Sequence, residues 1–326
     1  MSNPLKIIFL GSGPIAIPLL RVLASDPGIE LQAVVSQLDR PAGRKRILTP
    51  TPLAAAALDM GLEVIRCADV NTPEFTGFLQ EKSPDVICVV SFGQILKSTV
   101  LAAPKCACVN IHASLLPSYR GASPIVQAII NRDRQTGVCF MQMERGLDSG
   151  PVYRTLALDL NFDEYADDLE MKLGELAADH AVETLQEIAA GSRQPIPQDP
   201  AGVTVCRKIS KRDGIIDWNQ PAENIEAMTR AYFPWPGATA KCRTAAGKEL
   251  NVTICAARPV ESTSQLSPGK TAGNPGEIVV GCGNNTALEI LSLIPSGGKR
   301  MSASAFRNGL RGELPEFIIE TALGWL

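Results

Sequence analysis

The stretch L-K-I-I-F-L-G-S-G-P-I-A-I-P-L-L-R-V-L (residues 5–23) decides how the chain begins to fold. Residues 5–10 form an apolar run that reads as a buried strand, residues 11–14 turn, and residues 15–23 read as a helix. A buried strand leading through a tight turn into a helix is the opening of an α/β unit. Working outward, residues 30–35, 62–65, 85–90 and 107–111 read as further buried strands, with helical connectors that include residues 53–60. Strands apolar on both faces, joined by crossovers of a dozen or more residues, imply a mostly parallel sheet covered by helices. Residues 136–143 and 152–158 face each other across a glycine-bracketed turn and suit an antiparallel pair. A long helix over residues 165–188 ends at Gly191.

Residues 192–206 (S-R-Q-P-I-P-Q-D-P-A-G-V-T-V-C) hold three prolines and no helical period, as a linker does. Beyond them the pattern changes to short strands (residues 239–243, 250–258, 276–282 and 287–295), one helix (222–232) and a Ser/Gly/Pro-rich loop (261–275). About five short strands with one helix suit a small OB-like β-barrel. The expected organisation is therefore a first domain over residues 1–191, a linker over 192–206 and a second domain over 207–326.

The chain has 326 residues, 45% of them hydrophobic and 20% charged, which excludes a disordered or low-complexity protein and is ample for two cores. Net charge is −3, which argues against a generic polyanion binder. That average hides an asymmetry, since residues 207–326 carry 14 Lys/Arg against 11 Asp/Glu, while residues 1–206 carry 17 against 23. A basic second part permits a nucleic-acid contact without requiring one. Nine cysteines, with no C-x-x-C pair and no Cys/His cluster at metal spacing, indicate a reduced, cytoplasmic chain. Glycines and prolines interrupt the apolar run at the N-terminus, against a signal peptide, and no stretch reaches the roughly 18–20 apolar residues of a membrane span.

In open α/β sheets, ligands bind beyond the carboxyl ends of the strands. The first strand ends in G-S-G-P-I-A (residues 11–16), a G-x-G-x-x-A pattern that a nicotinamide-dependent dehydrogenase would use for a dinucleotide phosphate. The second strand, however, ends Val35-Ser36-Gln37 without the acid that would hold a ribose, and Pro14 removes a backbone N–H. A tight turn is the better reading. The strand at 107–111 closes on Asn110 and His112, which project to one side. Polar groups there are costly unless they pair or face a cleft. Cys108 is no nucleophile for His112, because four residues along a strand span about 13 Å. Ser114 lacks a nucleophile elbow, and His180 sits inside a helix. Asp148, in E-R-G-L-D-S-G (residues 144–150), is either a turn residue or a partner for His112. An amide, an imidazole and a carboxylate without a nucleophile suit acyl transfer between two bound molecules. One group takes a proton from an attacking amine while others hold an oxyanion. Residues 37–53 form a long loop with Arg40, Arg44, Lys45 and Arg46, either a solvated loop or a grip for phosphates.

At this point a resemblance emerges. N-I-H-A-S-L-L-P-S-Y-R-G-A-S-P-I (residues 110–125) with M-E-R-G-L-D-S-G (143–150) resembles the 10-formyltetrahydrofolate-dependent formyltransferases. D-R-P-A-G-R (39–44) with Pro50 and Pro52, I-D-W (216–218) and R-A-Y-F-P-W-P-G (230–237) are similar to the branch whose acceptor is initiator methionyl-tRNA. The resemblance implies a Rossmann-like folate-binding domain, a linker, and an OB-like barrel that helps hold tRNA. It assigns Asn110, His112 and Asp148 to catalysis and Ser114, Leu115, Leu116 and Pro117 to the folate. Arg40, Arg44, Lys45 and Arg46 fall in the loop that meets the tRNA acceptor end. In the mechanism it suggests, Asp148 removes the amine proton through or beside His112, while Asn110 and protonated His112 donate to the oxyanion. It implies 10-formyltetrahydrofolate as formyl donor; the residues themselves show no metal site and no membrane span, and no obligate protein partner is inferred. The chain departs from the family pattern at residues 11–16, at Lys45 and Ile47, and at Ala54, where a lysine is frequent. Within the same chemistry, the rivals are a formyltransferase for an amino-sugar nucleotide and a formyl-folate hydrolase. A pure tRNA-binding module would leave Asn110, His112 and Asp148 without a task.

Overall fold

Buried apolar runs at the start of the chain do form a strand–turn–helix in the computed structural model, which describes residues 3–42, 46–261 and 266–319. The chain divides into two units: residues 1–124, 135–159 and 168–207 make the first, and residues 125–134, 160–167 and 208–326 the second. In chain order the elements up to residue 130 are β1 (Leu5–Gly11), α1 (Ala16–Ser25), β2 (Ile29–Ser36), β3 (Arg40–Ala42), β4 (Ile47–Thr49), α2 (Pro52–Asp59), β5 (Val64–Arg66), α3 (Pro73–Lys82), β6 (Val86–Val90), α4 (Ser98–Leu101), β7 (Ala107–His112), β8 (Arg120–Gly121) and α5 (Pro124–Ile130). Then follow β9 (Gln135–Gln142), β10 (Val152–Asp159), α6 (Ala166–Ala189) and β11 (Val205–Cys206).

The main sheet of the first unit runs β10-β9-β7-β6-β1-β2-β5. Strands β5, β2, β1, β6 and β7 are parallel neighbours, while β9 and β10 join antiparallel beyond β7. All five residues of β6 are buried, as a strand covered on both faces requires. Ile8, Leu10, Val35, Ile87 and Val89 of the sheet pack with Phe75 and Leu79 of α3. Helices α2 and α3 each begin with threonine followed by proline, and the Thr51 and Thr72 hydroxyls accept the Ala54 and Phe75 N–H groups. The expected loop over residues 37–53 instead contains an antiparallel ribbon, with Arg40 opposite Thr49 and Ala42 opposite Ile47. Ile47 and Leu48 of β4 are exposed, so no hydrophobic alternation marked it in the sequence.

In the second unit the later elements are α7 (Ala222–Ala231), β12 (Ala238–Arg243), β13 (Glu249–Val260), β14 (Thr271–Ala272), β15 (Val279–Gly281), β16 (Ala287–Pro295), β17 (Met301–Ser302), α8 (Ala303–Gly309) and β18 (Glu316–Phe317). Antiparallel strands in the order β14-β15-β16-β13-β12-β18, with β17 on β16, make a nearly closed barrel. It is richer than the expected five strands and one helix, because two-residue strands and the seven-residue α8 leave no periodic signature. Trp218, fully buried, lies 4.8 Å from the Phe317 ring in a core with Ile225, Ile254, Val280 and Leu293. Among the described residues no helix is long and apolar enough to cross a membrane.

Candidate active site

Strand β7 ends on His112, which is only 6% exposed. Burial of an imidazole demands partners, and both ring nitrogens have them. Nε2 lies 2.9 Å from the Tyr119 carbonyl oxygen, which can only accept, so Nε2 carries a hydrogen. Nδ1 lies 3.7 Å from Oδ2 of Asp148. The ring is thus tied at one nitrogen, and the other faces a carboxylate within ion-pair range but beyond a direct hydrogen bond. Asn110, two residues back on the strand, is half-buried.

Asp148 sits in the loop between β9 and β10 with its backbone at φ 46°, a left-handed conformation that costs a non-glycine residue roughly 1 kcal/mol or more. Contacts at both ends of the residue hold it there. Its Oδ2 accepts the Gly121 N–H at 2.8 Å, and its carbonyl accepts the Gln198 side-chain amide at 2.8 Å. Gly121, at φ 113°, admits no side chain, since a Cβ would lie 2.3 Å from the Cys206 carbonyl oxygen.

Segment 117–122, which supplies the Tyr119 carbonyl and the Gly121 amide, is in turn held by segment 204–206. The Tyr119 N–H donates to the Thr204 hydroxyl at 2.8 Å, Arg120 N–H to the Thr204 carbonyl at 2.9 Å, and β8 pairs in parallel with β11. Burial pushes the Cys206 thiol up, with the nearby Asp148 charge adding to it, so it remains S–H and donates to the Tyr119 carbonyl at 3.4 Å. The stretch read as a linker therefore lies along this wall, with Ile196 also bonded to Val152 through N–H and carbonyl alike.

Among the residues assigned to the folate, Ser114 is fully buried and its hydroxyl donates to the Ser118 carbonyl at 2.6 Å, closing the turn. The Leu116 N–H donates to Cys139 Sγ, and Leu115, Leu116 and Pro117 are half-buried. Arg40 is exposed and donates to the Gln37 side chain, and Arg46 is exposed at φ 49°. Arg44 and Lys45 lie outside the described residues. Cys108 is buried and its thiol is pushed up to about 12 by that burial, which removes it as a nucleophile.

The G-x-G turn at the end of β1 is satisfied from within. Ile15 N–H, at the start of α1, donates to the Glu170 carboxylate at 3.3 Å, and the Ser12 hydroxyl donates to the Phe92 carbonyl. The chain's own carboxylate stands where a dinucleotide would need its phosphate, as the tight-turn reading requires. Among the described residues no three His, Cys, Asp or Glu side chains converge as metal ligands do.

A tethered imidazole and a carboxylate therefore approach each other at the carboxyl end of β7, with Asn110 two residues back on the same strand. Sequence reasoning missed Tyr119, Gly121 and Gln198. The first two act through backbone groups that carry no side-chain signal, and the third lies in a proline-rich stretch.

Residues 5–185 match the family described as "Formyl transferase", and residues 208–311 match "Formyl transferase, C-terminal domain". Relatives named methionyl-tRNA formyltransferase include that of Roseiflexus sp. (strain RS-1), 40% identical over 94% of this chain and 93% of its own, and that of Halorhodospira halophila, 39% identical over 94% and 96%. Among solved structures, HypX from Aquifex aeolicus in complex with tetrahydrofolic acid shares the fold at a TM-score of 0.59 and 18% identity. That match covers 94% of this chain, which spans about half (48%) of the length of HypX. The chain accordingly belongs to the formyl transferase family, alongside its methionyl-tRNA formyltransferases.

Proposed function

We propose that this chain transfers the formyl group of 10-formyltetrahydrofolate to the α-amino group of methionine carried on initiator tRNA, in the cytoplasm and with no obligate protein partner. The observation that carries the chemistry is the approach of Asp148 Oδ2 to His112 Nδ1 at 3.7 Å, with Nε2 tied to Tyr119. The donor supplies an electrophilic formyl carbon. The amine that attacks it must lose one proton, and the departing N10 must gain one. In this reading the Asp148–His112 pair receives the proton and returns it, so the site ends turnover as it began. The Asn110 amide donates to the developing oxyanion, an interaction typically worth about 3–4 kcal/mol.

Leu115, Leu116 and Pro117 offer the apolar surface for the pterin, and Ser114 fixes their turn through the Ser118 carbonyl. Arg40 of β3 and Arg46, which precedes β4, meet the acceptor end of the tRNA together with Arg44 and Lys45. The similarity to methionyl-tRNA formyltransferases over 94% of the chain supports tRNA over an amino-sugar nucleotide as acceptor.

The test is formyl transfer from 10-formyltetrahydrofolate to methionyl-tRNA, set against uncharged tRNA, free methionine, an amino-sugar nucleotide and no acceptor. Only the first should be formylated. Formate release without an amine would reveal a hydrolase instead. Asp148→Asn should lower turnover by two orders of magnitude or more while leaving tRNA affinity nearly intact. Comparable turnover in that variant would remove Asp148 from the mechanism.

A further inference from the structure

We infer that Gln198 and Arg120 are positioning residues that hold Asp148 in its reactive conformation. The inference rests on the reading of Asp148 as proton acceptor. The Gln198 side-chain amide uses its whole hydrogen-bonding capacity here. Its nitrogen donates to the Asp148 carbonyl at 2.8 Å and the Gly150 carbonyl at 2.7 Å, spanning the turn around Ser149. Its oxygen accepts Nε and Nη2 of Arg120 at 3.0 and 2.8 Å. Gln198 is half-buried while its neighbours Pro197 and Asp199 are exposed, so the chain turns this one side chain inward.

Arg120 and Gly121 together form β8. One residue of that strand grips the Asp148 backbone through Gln198, and the next grips the Asp148 carboxylate through its N–H. A single short strand thus fixes both ends of the residue. Asp148 needs this, because residues 144–147 of its loop are exposed and its own φ is 46°. A left-handed aspartate in an exposed loop relaxes unless its surroundings over-determine it. A displacement of about 1 Å at a reacting group can cost on the order of 100-fold in rate.

Two substitutions separate positioning from mere support. Gln198→Ala removes the whole clamp. Gln198→Glu keeps an acceptor for Arg120 but loses both N–H donors and places a carboxylate against two carbonyls. Both variants should lose about 10–100-fold in kcat, with KM for the folate and the tRNA changed by less than about threefold. Gln198→Glu should keep a melting temperature nearer to wild type than Gln198→Ala. Wild-type kcat in Gln198→Glu, or a loss confined to KM, overturns the inference.

A second measurement needs no substrate. The chain holds two histidines, so ¹⁵N-histidine labelling gives two imidazoles, and a His180→Asn variant identifies that of His112. The His112 ring resonances should shift in Gln198→Ala while those of His180 stay in place; unmoved His112 resonances overturn the clamp. If wild type fails to formylate methionyl-tRNA, the functional reading fails, and the resonances still decide the clamp.

Discussion

Tyr119 meets His112 through its carbonyl oxygen, and that oxygen decides which ring nitrogen carries a hydrogen. Roles played by backbone atoms leave no trace in side-chain identity, which is why Tyr119 and Gly121 were not legible in the sequence. Asn110, His112 and Asp148 were legible as candidates because a polar side chain closing an apolar strand, or standing in a glycine-bracketed turn, demands a reason. At the opposite end of the sheet, Asp85 precedes β6 and serves stability. Its carboxylate accepts the Lys6 N–H at 3.0 Å and pairs with Lys105 at 2.9 Å. Burial, the largest single influence, pushes its carboxyl up, but these partners together outweigh it and hold the group below the ordinary value of 3.8. A carboxylate depressed in the folded state adds stability at pH values above its unfolded pKa and loses it as pH falls through the folded one. Asp85→Asn should therefore lower the melting temperature at pH 7, and the deficit should vanish as melts are repeated below pH 3.8. A deficit independent of pH would show that packing, not charge, is responsible.

The loop from β9 to β10 carries Asp148 because its backbone can pass close to its own sheet. Gly150 allows this, since a Cβ there would lie 1.9 Å from the Gln142 carbonyl oxygen, a backbone atom that cannot swing aside. Gly150→Ala should cost about 1–3 kcal/mol of stability in chemical denaturation and lower kcat by displacing the neighbouring carboxylate. An unchanged kcat would mean that the loop absorbs the methyl group without moving Asp148. At this scale the long elements were readable: buried strands such as β6, and the 24-residue α6. The ribbon of β3 and β4 was not, because its strands are three residues long, β4 is exposed throughout, and its composition is that of any basic loop.

Across the whole molecule, charge divides along the sequence, with residues 207–326 carrying the net positive share. Within the second unit, a groove of about 1080 Å³ is lined by Arg212, Lys241, Asn251, Thr253 and Ser296, among others. If it follows an RNA backbone, Arg212→Glu with Lys241→Glu should weaken methionyl-tRNA binding and flatten its dependence on salt by about one unit of slope per lost phosphate contact. Single-turnover formylation at saturating tRNA should stay at the wild-type rate. An unchanged salt slope would place the RNA elsewhere. The prolines at 195, 197 and 200 announced extended chain, and extended chain reads as a tether, although here it is built into a wall. That wall has a practical side for anyone who would dissect the protein. A fragment stopped at Gly191 would keep every strand of the main sheet yet forfeit Gln198, Thr204 and Cys206, leaving an intact scaffold around a slackened Asp148 loop.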